Sequence, residues 1–224
     1  MTGVPESTDV TLVLPCLDEA AGLPWILSRL PEHVRAIVAD NGSTDGSVEV
    51  ARDLGAHVVH ATPAGYGAAC HAGIAAATSD VVAVMDCDAT LDPAQLPPLI
   101  AAVAAGSADM AVCRRRPSAH AWPWHARVGT AFLAWRLRRA TTLTIHDLPP
   151  VRVFRRDPYL ALGIEDRAFG YPMEVLARAA AASWTVTEFD MDYRPRIGRS
   201  KVSGTVRGSV RATTALLRAA PRRG

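Results

Sequence analysis

Acidic side chains follow several short apolar segments in the first half of the sequence, where they are placed to bind a cation or a polar ligand. These residues are Asp18, Glu19, Asp40, Asp86 and Asp88. Each comes soon after a continuous apolar run that is typical of a buried parallel strand. Because ligands bind outside the carboxyl ends of the strands in an open parallel sheet, we expect the carboxylates to converge on one edge. Such a cluster is costly unless a cation or a polar ligand compensates its charge.

Asp86 and Asp88 give the sharpest chemical prediction, since only Cys87 separates them. Two carboxylates at a strand end can bind a hard divalent cation through their oxygens. Such a cation would neutralise a diphosphate and the negative charge that develops as the diphosphate departs. We therefore expect Asp86 and Asp88 to bind a metal ion.

Asp40 ends a predicted strand, and an acid at that point suggests recognition of a nucleotide. Dinucleotide-binding folds place an acid there, but they also need a Gly-rich turn after the first strand to admit the pyrophosphate. Residues 15–19 contain no glycine and two acids, and no Walker A pattern occurs. The sequence therefore disfavours NAD-type binding and favours a diphosphate that is held by a metal.

An alternation of strands and helices must position these acids. Strands are predicted at residues 10–14, 34–39, 56–60, 81–85 and 109–113, and helices at 19–30, 44–54, 65–77 and after Pro93. Repeated strand–helix–strand units indicate an α/β fold with a mostly parallel central sheet and helices on both faces. No linker or repeat interrupts the chain, so we expect residues 1–224 to form a single domain.

The second half of the chain has a less regular pattern. Its predicted elements are helices at residues 122–139, 172–183 and 204–219 and strands at 151–154 and 184–189. In the first of these helices, Trp122, Trp124, Phe132 and Trp135 either pack in the core or form a membrane-facing patch near the arginines. Core packing is the favoured interpretation.

Composition excludes a disordered chain, because 49% of the 224 residues are apolar. No apolar run approaches the roughly 20 residues that cross a bilayer, and residues 1–9 show no signal peptide, so we expect a cytoplasmic protein. The four cysteines, Cys16, Cys70, Cys87 and Cys113, are scattered through apolar stretches. We expect all four to be buried thiols.

The formal net charge of +2 hides an asymmetry along the chain. After the last acidic residue, Asp192, come nine cations without a counter-charge, which leaves 15 basic against 22 acidic residues in the rest. An acidic body with a basic C-terminal segment implies a polyanionic partner for that segment.

Several segments, in this order, resemble the motifs of family 2 glycosyltransferases with the GT-A fold, in particular polyprenyl-phosphate (dolichyl-phosphate) mannose or glucose synthase-like enzymes. The segments are LPCLDE (14–19), ADNGSTD (39–45), GYGAA (65–69), DCD (86–88), HDL (146–148), RVFRR (152–156), FGYPME (169–174) and RPRIGRSK (194–201). The resemblance implies an inverting transfer of a hexose from a UDP-, GDP- or dTDP-sugar with Mg²⁺ or Mn²⁺. It also divides the domain into a nucleotide-sugar-binding half, about residues 8–115, and an acceptor-binding half, about residues 116–215.

The same resemblance assigns the donor site to particular residues. Those that it implies are Pro15, Asp18, Glu19, Asp40, Asn41, Gly67, Asp86, Cys87 and Asp88, with Asp88 also catalytic. Asp40 would meet the base, and Asp86 and Asp88 would hold the ribose, the diphosphate and the metal. Asp18 stands where the family often has Asn, and Asn41 where it often has Asp, so the identity of the donor stays open.

Basic residues predict an acceptor that carries a phosphate, because arginine forks bind phosphate oxygens bidentately. The candidates are Arg114, Arg152, Arg194, Arg196, Arg199, Ser200 and Lys201. For the segment around Pro195 and Gly198 the alternative is a solvated basic loop. For Arg114 and Arg152 the alternative is a structural salt bridge.

The nature of the acceptor decides whether a general base is needed. A phosphate is already ionised at neutral pH and can attack the anomeric carbon unaided, whereas a hydroxyl needs a base within hydrogen-bond reach. Asp147 is the first candidate for that base and Glu174 the second, and either one alternatively orients the sugar or pairs with an arginine. His146 is expected to be structural.

Polyprenyl phosphate at the inner membrane face is the preferred acceptor, and the chain would then attach peripherally or through a membrane partner protein. The alternatives are the same transfer to a soluble hydroxyl acceptor and a non-catalytic nucleotide-sugar-binding protein. A sugar-nucleotide pyrophosphorylase would need a Gly-rich basic loop that residues 14–24 lack. No nucleic acid partner is expected.

Overall fold

A seven-stranded sheet forms the centre of the molecule. The structure, a computed structural model, describes residues 9–118, 121 and 124–198, and for residues 124–126 the backbone only. The strands are β1 (Val10–Cys16), β2 (Val34–Asp40), β3 (His57–His60), β4 (Val81–Met85), β5 (Met110–Pro117), β6 (Val151–Arg155) and β7 (Val186–Tyr193). Their order across the sheet is β3-β2-β1-β4-β6-β5-β7.

Most neighbouring strands run parallel. β1 pairs in parallel with β2 and with β4, β2 pairs in parallel with β3, and β5 pairs in parallel with β7. The α/β class with a mostly parallel central sheet is therefore confirmed. The pattern did not predict that β6 lies antiparallel between β4 and β5, which breaks the series of parallel units.

The helices are α1 (Leu23–Leu27), α2 (Ser47–Asp53), α3 (Tyr66–Ala76), α4 (Pro97–Ala104), α5 (Trp124–Ala140), α6 (Arg156–Ala161) and α7 (Tyr171–Ala181), with a 3-10 turn at Pro93–Gln95. They cover both faces of the sheet. Leu12 and Leu14 of β1 belong to one apolar core and Val13 to the other. Since alternate strand residues point to opposite faces, a continuous apolar run is what a strand buried on both sides requires.

The first predicted helix is shorter than its pattern indicated, because α1 spans only Leu23–Leu27. A turn precedes it, in which the amides of Gly22 and Leu23 both donate to the carbonyl oxygen of Glu19. Pro24 then occupies the first turn of the helix, where a missing amide hydrogen costs nothing. Glu19 is therefore held in a turn at the end of β1 and not within a helix.

α5 has the opposite orientation to the one favoured from its sequence. Leu133, Ala134 and Leu137 face the sheet and are buried, while Phe132 and Trp135 are 47% and 45% exposed. The favoured core-packing interpretation is wrong for these two aromatics, because both faces of the helix carry large apolar side chains and the sheet covers one of them. Trp122, the side chain of Trp124 and the predicted helix at 204–219 lie outside the described residues.

Two further sequence predictions can be compared with the fold. All four cysteines are free thiols and buried, as expected. Within the described part of the chain, none of the helices has the length and apolar character that crossing a bilayer demands. The division into a donor half and an acceptor half stays a prediction.

Candidate active site

Asp86 stands at the end of β4 and takes part in a chain of buried polar groups. The hydroxyl of Tyr66, at the start of α3, donates to Asp86 Oδ1 over 3.0 Å. Arg152 of β6 donates in turn from Nη2 to the Tyr66 hydroxyl over 3.3 Å. Burial and the neighbouring Asp88 carboxylate raise the pKa of Asp86 to about 6, against the opposing effects of Arg152 and Tyr66. The site therefore disfavours negative charge on Asp86 until a cation is present.

Arg152 is completely buried, and its guanidinium lies 5.9 Å from the centre of the Tyr171 ring. Its Nε and Nη1 are buried without a hydrogen-bond partner in the described structure. A phosphate in solvent has no access to this group, so phosphate binding by Arg152 is disfavoured. The alternative of a salt bridge is not observed either among the described residues, where the hydrogen-bond partner of Arg152 is the Tyr66 hydroxyl. From its place behind Tyr66, Arg152 supplies positive charge to the Asp86 site.

Asp88 lies beside a bridging arginine. Its Oδ1 accepts hydrogen bonds from the amide of Thr90 over 3.1 Å and from the Thr90 hydroxyl over 2.6 Å. Its Oδ2 is 3.8 Å from Nη1 of Arg196, whose Nη2 pairs with Glu19 Oε1. Arg196 thus joins the carboxylates of two different strand ends.

The backbone of the segment after β7 holds Arg196 in this place. The amide of Arg194 donates to the carbonyl oxygen of Thr90 over 2.8 Å, and the amide of Ile197 donates to that of Asp88 over 3.2 Å. The Arg194 guanidinium lies 4.8 Å from the centre of the Trp25 ring. Arg199, Ser200 and Lys201, the remaining candidates of this segment, lie outside the described residues.

The loops after β1 and β2 are bound to each other through polar side chains. The amide of Asp18 donates to Ser43 Oγ over 2.9 Å, and the amide of Thr44 donates to Asp18 Oδ1 over 2.6 Å. The amide of Glu19 donates to Ser47 Oγ over 2.8 Å. The acidic and hydroxyl residues of these segments therefore shape the loop pair as well as the edge of the sheet.

Asp40 is held by donors from its own loop. Its carboxylate accepts from the amides of Gly42 and Ser43, over 3.1 and 3.0 Å, and from Nδ1 of His60 over 3.2 Å. Burial opposes ionisation, but the hydrogen bonds from Ser43, Gly42 and His60 prevail and lower the pKa of Asp40. Asn41 Oδ1 accepts from the amide of Gly65 over 2.6 Å and so fixes the start of α3.

Gly65 and Gly67 are required by close packing against the segment before α7. A Cβ atom on Gly65 would lie 2.2 Å from the carbonyl oxygen of Arg167, and one on Gly67 would lie 2.7 Å from that of Asp166. The thiol of Cys87 is buried against Cys16. Packing thus accounts for Gly67 and Cys87, while Pro15 is half-buried at the end of β1.

A cleft of about 460 Å³ lies between the end of β5 and α5, and we call it the cationic cleft. Its lining comprises Arg114, Arg115, Arg116, Pro117, Arg127, Val128, Thr130, Ala131, His146 and Asp147. Arg116 pairs with Asp190 at 2.6 Å on the surface. The side chains of Arg114 and Arg127 form no hydrogen bond or ion pair with any described residue, although Arg114 adds to Arg116 in lowering the pKa of Asp190, which lies opposite it on β7.

Asp147 is buried beside Arg115, which is itself only 13% exposed. Its carboxylate accepts from Nε and Nη2 of Arg115, over 2.8 and 2.7 Å, and from the amides of Arg115 and Leu148. Of the alternatives left open for Asp147, pairing with an arginine is the one that the geometry favours. His146 donates its amide to Glu188 Oε1 and places Nδ1 2.8 Å from Oε2.

Glu174 pairs with an arginine as well. Its Oε1 accepts from Nε of Arg178 over 2.6 Å and from the amide of Glu165, and its Oε2 accepts from the amide of Asp166. Burial opposes ionisation, but these amide and guanidinium hydrogen bonds lower the pKa of Glu174. Glu174 therefore anchors the segment that packs against Gly65 and Gly67.

Three residues of the site were not predicted from the sequence. The predicted site residues did not include Arg115 or Arg127, and Tyr66 stood only within the GYGAA segment (65–69). The run of three arginines at 114–116 was the available signal for the cleft. No sequence signal pairs Tyr66 with Asp86, since that contact depends on how α3 meets β4.

The two aspartates fit a cation that a ligand helps to hold. Among the described residues, no group of three or more His, Cys, Asp or Glu side chains is arranged to hold a metal ion. Mg²⁺ commonly takes only one or two carboxylates from the protein and completes its shell with substrate phosphates and water. The raised pKa of Asp86 is the mark of a site where added positive charge is stabilising.

Residues 11–163 match the sequence profile of the family described as glycosyl transferase family 2. The match covers more than half of the chain. The chain belongs to this family and is therefore a glycosyltransferase. The family that the motifs suggested is confirmed.

Two curated relatives and one solved structure show the range of similar proteins. An uncharacterized glycosyltransferase of Mycobacterium tuberculosis is 52% identical over 203 residues, which cover 90% of this chain and 93% of the relative. An undecaprenyl-phosphate mannosyltransferase of Micrococcus luteus is 29% identical over 219 residues, with 89% of each chain covered. Glucosyl-3-phosphoglycerate synthase from M. tuberculosis, solved with Mn²⁺, UDP and phosphoglyceric acid, superposes with a TM-score of 0.74 at 20% identity. That superposition covers 96% of this chain and 80% of the synthase, and it establishes likeness of fold.

Proposed function

We propose that this protein transfers a hexose, with inversion, from a nucleoside-diphosphate sugar to the phosphate of a polyprenyl phosphate, in a reaction that depends on Mg²⁺ or Mn²⁺. The observation that carries the proposal is the closeness of an acidic pair, Asp86 and Asp88, to the cationic cleft. Arg115, which lines that cleft, is near enough to Asp86 to help lower its pKa. A donor diphosphate and an acceptor phosphate would then meet at one place.

On the donor side, Asp86 and Asp88 would hold the metal together with the diphosphate. The metal, when bound, supplies positive charge that offsets the charge of the departing diphosphate. Pro15, Asp18, Glu19, Asp40 and Asn41 shape the two loops that border this position and would form the wall of the nucleotide pocket. Asp40 and Asp18 already accept hydrogen bonds from loop amides. We therefore propose that the nucleotide contacts the backbone that these two carboxylates hold in place.

On the acceptor side, Arg114 and Arg127 would bind the phosphate. Both are cations of the cleft whose side chains have no hydrogen-bond or ion-pair partner among the described residues. Each hydrogen bond from a charged group contributes about 1.5–3 kcal/mol. An ionised phosphate attacks without a general base, so Asp147 and Glu174 serve the reaction as anchors of Arg115 and Arg178. Asp147 would orient Arg115 toward the cleft.

Arg196 would connect the two sides. It pairs with Glu19 and lies 3.8 Å from Asp88, and it belongs to the segment that sequence reasoning assigned to the acceptor. A cation bound by Asp88 would compete with this guanidinium. We therefore propose that Arg196 leaves the acidic edge when donor and metal bind, and that it then faces a phosphate together with Arg194, Arg199, Ser200 and Lys201.

The similarity to an undecaprenyl-phosphate mannosyltransferase supports a lipid phosphate, and the fold shared with a synthase solved with phosphoglyceric acid keeps a soluble acceptor as the alternative. The cleft itself recognises phosphate in either case. We also propose that the protein lies at the inner face of a membrane through peripheral contact.

A transfer assay separates these acceptors. The purified chain would be incubated with Mn²⁺ and UDP-, GDP- or dTDP-hexose, together with a short polyprenyl phosphate, the matching polyprenol or 3-phosphoglycerate, and the products identified by mass spectrometry. We expect a glycosylated polyprenyl phosphate, no product from the polyprenol and none after addition of EDTA. Transfer to 3-phosphoglycerate alone would replace the lipid acceptor with a soluble one, and transfer to the polyprenol would contradict the phosphate-attack mechanism.

A further inference from the structure

The outer face of α5 carries large apolar side chains that the rest of the described structure leaves exposed. Val128, Phe132 and Trp135 are 61%, 47% and 45% exposed. The rings of Phe132 and Trp135 stack with their centres 5.8 Å apart, so they form one continuous surface. We call these three residues the apolar stripe. Contiguous exposed apolar surface of this kind marks an interaction site.

The segment that contains the apolar stripe carries positive charge only. Residues 110–146 contain seven arginines and no aspartate or glutamate. Arg127 and Arg139, one at each end of the stripe, are exposed, and the Arg139 guanidinium lies 5.1 Å from the centre of the Trp135 ring. A helix with aromatic residues beside arginines suits the boundary between lipid headgroups and acyl chains.

The apolar stripe also adjoins the cationic cleft. Val128 belongs to both, and Arg127 and Ala131 of the cleft lie on the same exposed face of α5. A surface that covered the stripe would therefore lie beside the opening where a phosphate is proposed to bind. A phosphate on a lipid would reach that opening without leaving the membrane.

We propose that the outer face of α5 docks on an anionic lipid surface, with the apolar stripe inserted at headgroup depth and Arg139 on a lipid phosphate. This inference deepens the proposed function and rests on it for the acceptor that the membrane delivers. Charge complementarity selects this occupant: an anionic surface would attract the arginines of α5 and the seven cations that follow Ile197, whereas α5 itself would repel those cations.

Vesicle sedimentation tests the docking without any acceptor present. The full chain would be mixed with phosphatidylcholine vesicles containing about 30 mol% phosphatidylglycerol, and with vesicles of phosphatidylcholine alone. The test variant is Phe132→Ser with Trp135→Ser. The matched control is Leu54→Ser, which changes a side chain that is 48% exposed just after α2. Circular dichroism would check that each variant is folded.

We expect the parent to bind the anionic vesicles, the double variant to lose about tenfold in partition coefficient, and Leu54→Ser to stay within about twofold. Arg139→Glu, compared with Arg52→Glu on α2, gives a second measurement that leaves the buried face of α5 untouched. It is expected to weaken binding in the same direction.

Three results would overturn the docking surface. One is equal binding by the parent and the double variant, and another is no binding of the parent to anionic vesicles. The third is a parent dimer that the double variant abolishes, since the stripe would then join two copies. Transfer to a short polyprenyl phosphate in detergent, measured separately, depends on the proposed function alone, so the two proposals fail independently.

Discussion

The acidic edge of the sheet, formed by Asp18, Glu19, Asp40, Asp86 and Asp88, and the cationic cleft beside β5 differ in how their charges are compensated. At the acidic edge each carboxylate has a partner close by: loop amides for Asp18 and Asp40, Arg196 for Glu19 and Asp88, and the Tyr66 hydroxyl for Asp86. In the cleft, Arg115 and Arg116 are paired, while Arg114 and Arg127 have no hydrogen-bond or ion-pair partner in the described part of the chain.

Most carboxylates of the acidic edge are compensated within the described structure, which differs from the expectation from the sequence. Converging carboxylates were expected to demand an external cation, yet backbone amides and one arginine compensate most of them. The pKa of Asp86 is raised to about 6, because burial and Asp88 outweigh its polar partners. We therefore expect a cation to bind at the pair Asp86 and Asp88, and an anion to bind at Arg114 and Arg127.

The largest effect is expected at the acidic pair. Asp88→Asn keeps an oxygen for the Thr90 hydrogen bonds but removes the charge, so turnover should fall by about 10³-fold with the fold intact. Initial rates at saturating Mn²⁺ measure this change. Asp157→Asn, at an exposed carboxylate on α6, is the matched control and should retain full activity. Activity of Asp88→Asn close to that of the parent would refute the metal assignment.

The buried pair of Arg115 and Asp147 is expected to control stability. Asp147→Asn or Arg115→Gln leaves one charged group buried without its partner, which should cost about 3 kcal/mol in the free energy of unfolding. Urea denaturation of both single variants and the double variant measures the coupling. We expect the double variant to lose clearly less than the two single losses combined. Strict additivity would show that the two side chains do not act as a pair.

Changes in the cleft are expected to affect the acceptor only. Arg114→Gln and Arg127→Gln should each raise the KM for polyprenyl phosphate about tenfold and leave the KM for the nucleotide sugar unchanged, because each removes a charged hydrogen bond to phosphate. Steady-state kinetics with one substrate saturating measures both constants. Arg52→Gln, at an exposed arginine on α2, serves as the control. An equal rise in both KM values would place these arginines outside the acceptor site.

The smallest effect is expected at Asp40, where the acid is already compensated. Its pKa is lowered in the folded chain relative to the ordinary value of 3.8, so ionised Asp40 stabilises the fold above that pH and loses this contribution as the pH falls. Asp40→Asn should lower the free energy of unfolding by about 1 kcal/mol at neutral pH. The difference from the parent should shrink near pH 3, as urea titrations at both pH values would show. A constant difference at both pH values would mean that the charge of Asp40 is not what stabilises the loop.

Much of the fold could be predicted because its signals are local. The continuous apolar runs of β1, β2 and β4 indicated buried parallel strands, and the polar residues after them indicated the ligand edge. The antiparallel β6 could not be predicted in the same way. A run such as residues 151–154 has the same composition in either direction, and only its neighbours in the sheet decide which way it runs.

The candidate site, like the fold, could be predicted from the sequence only in part. Residue types and spacing were enough to nominate Asp86, Asp88 and Arg114. They were not enough to separate a phosphate-binding Arg152 from a structural one, or a general base at Asp147 from the partner of Arg115. Those choices depend on burial and on contacts such as that of Arg152 with Tyr66, which are 86 positions apart in the sequence.

By itself, the sequence determined the family, the alternation of strands and helices, and the charges that the protein carries, because these depend on residue types and short-range spacing. Tertiary structure alone decided which charges compensate each other and which face of α5 is covered. Pairing and burial are properties of side chains that come from distant segments, and the free energy of a charge depends on those neighbours and on access to water. Most acids of the edge therefore have charge partners within the described structure, whereas Asp86 and Asp88 are expected to bind a cation. The arginines of β5 and α5 line the cleft that is expected to bind a phosphate.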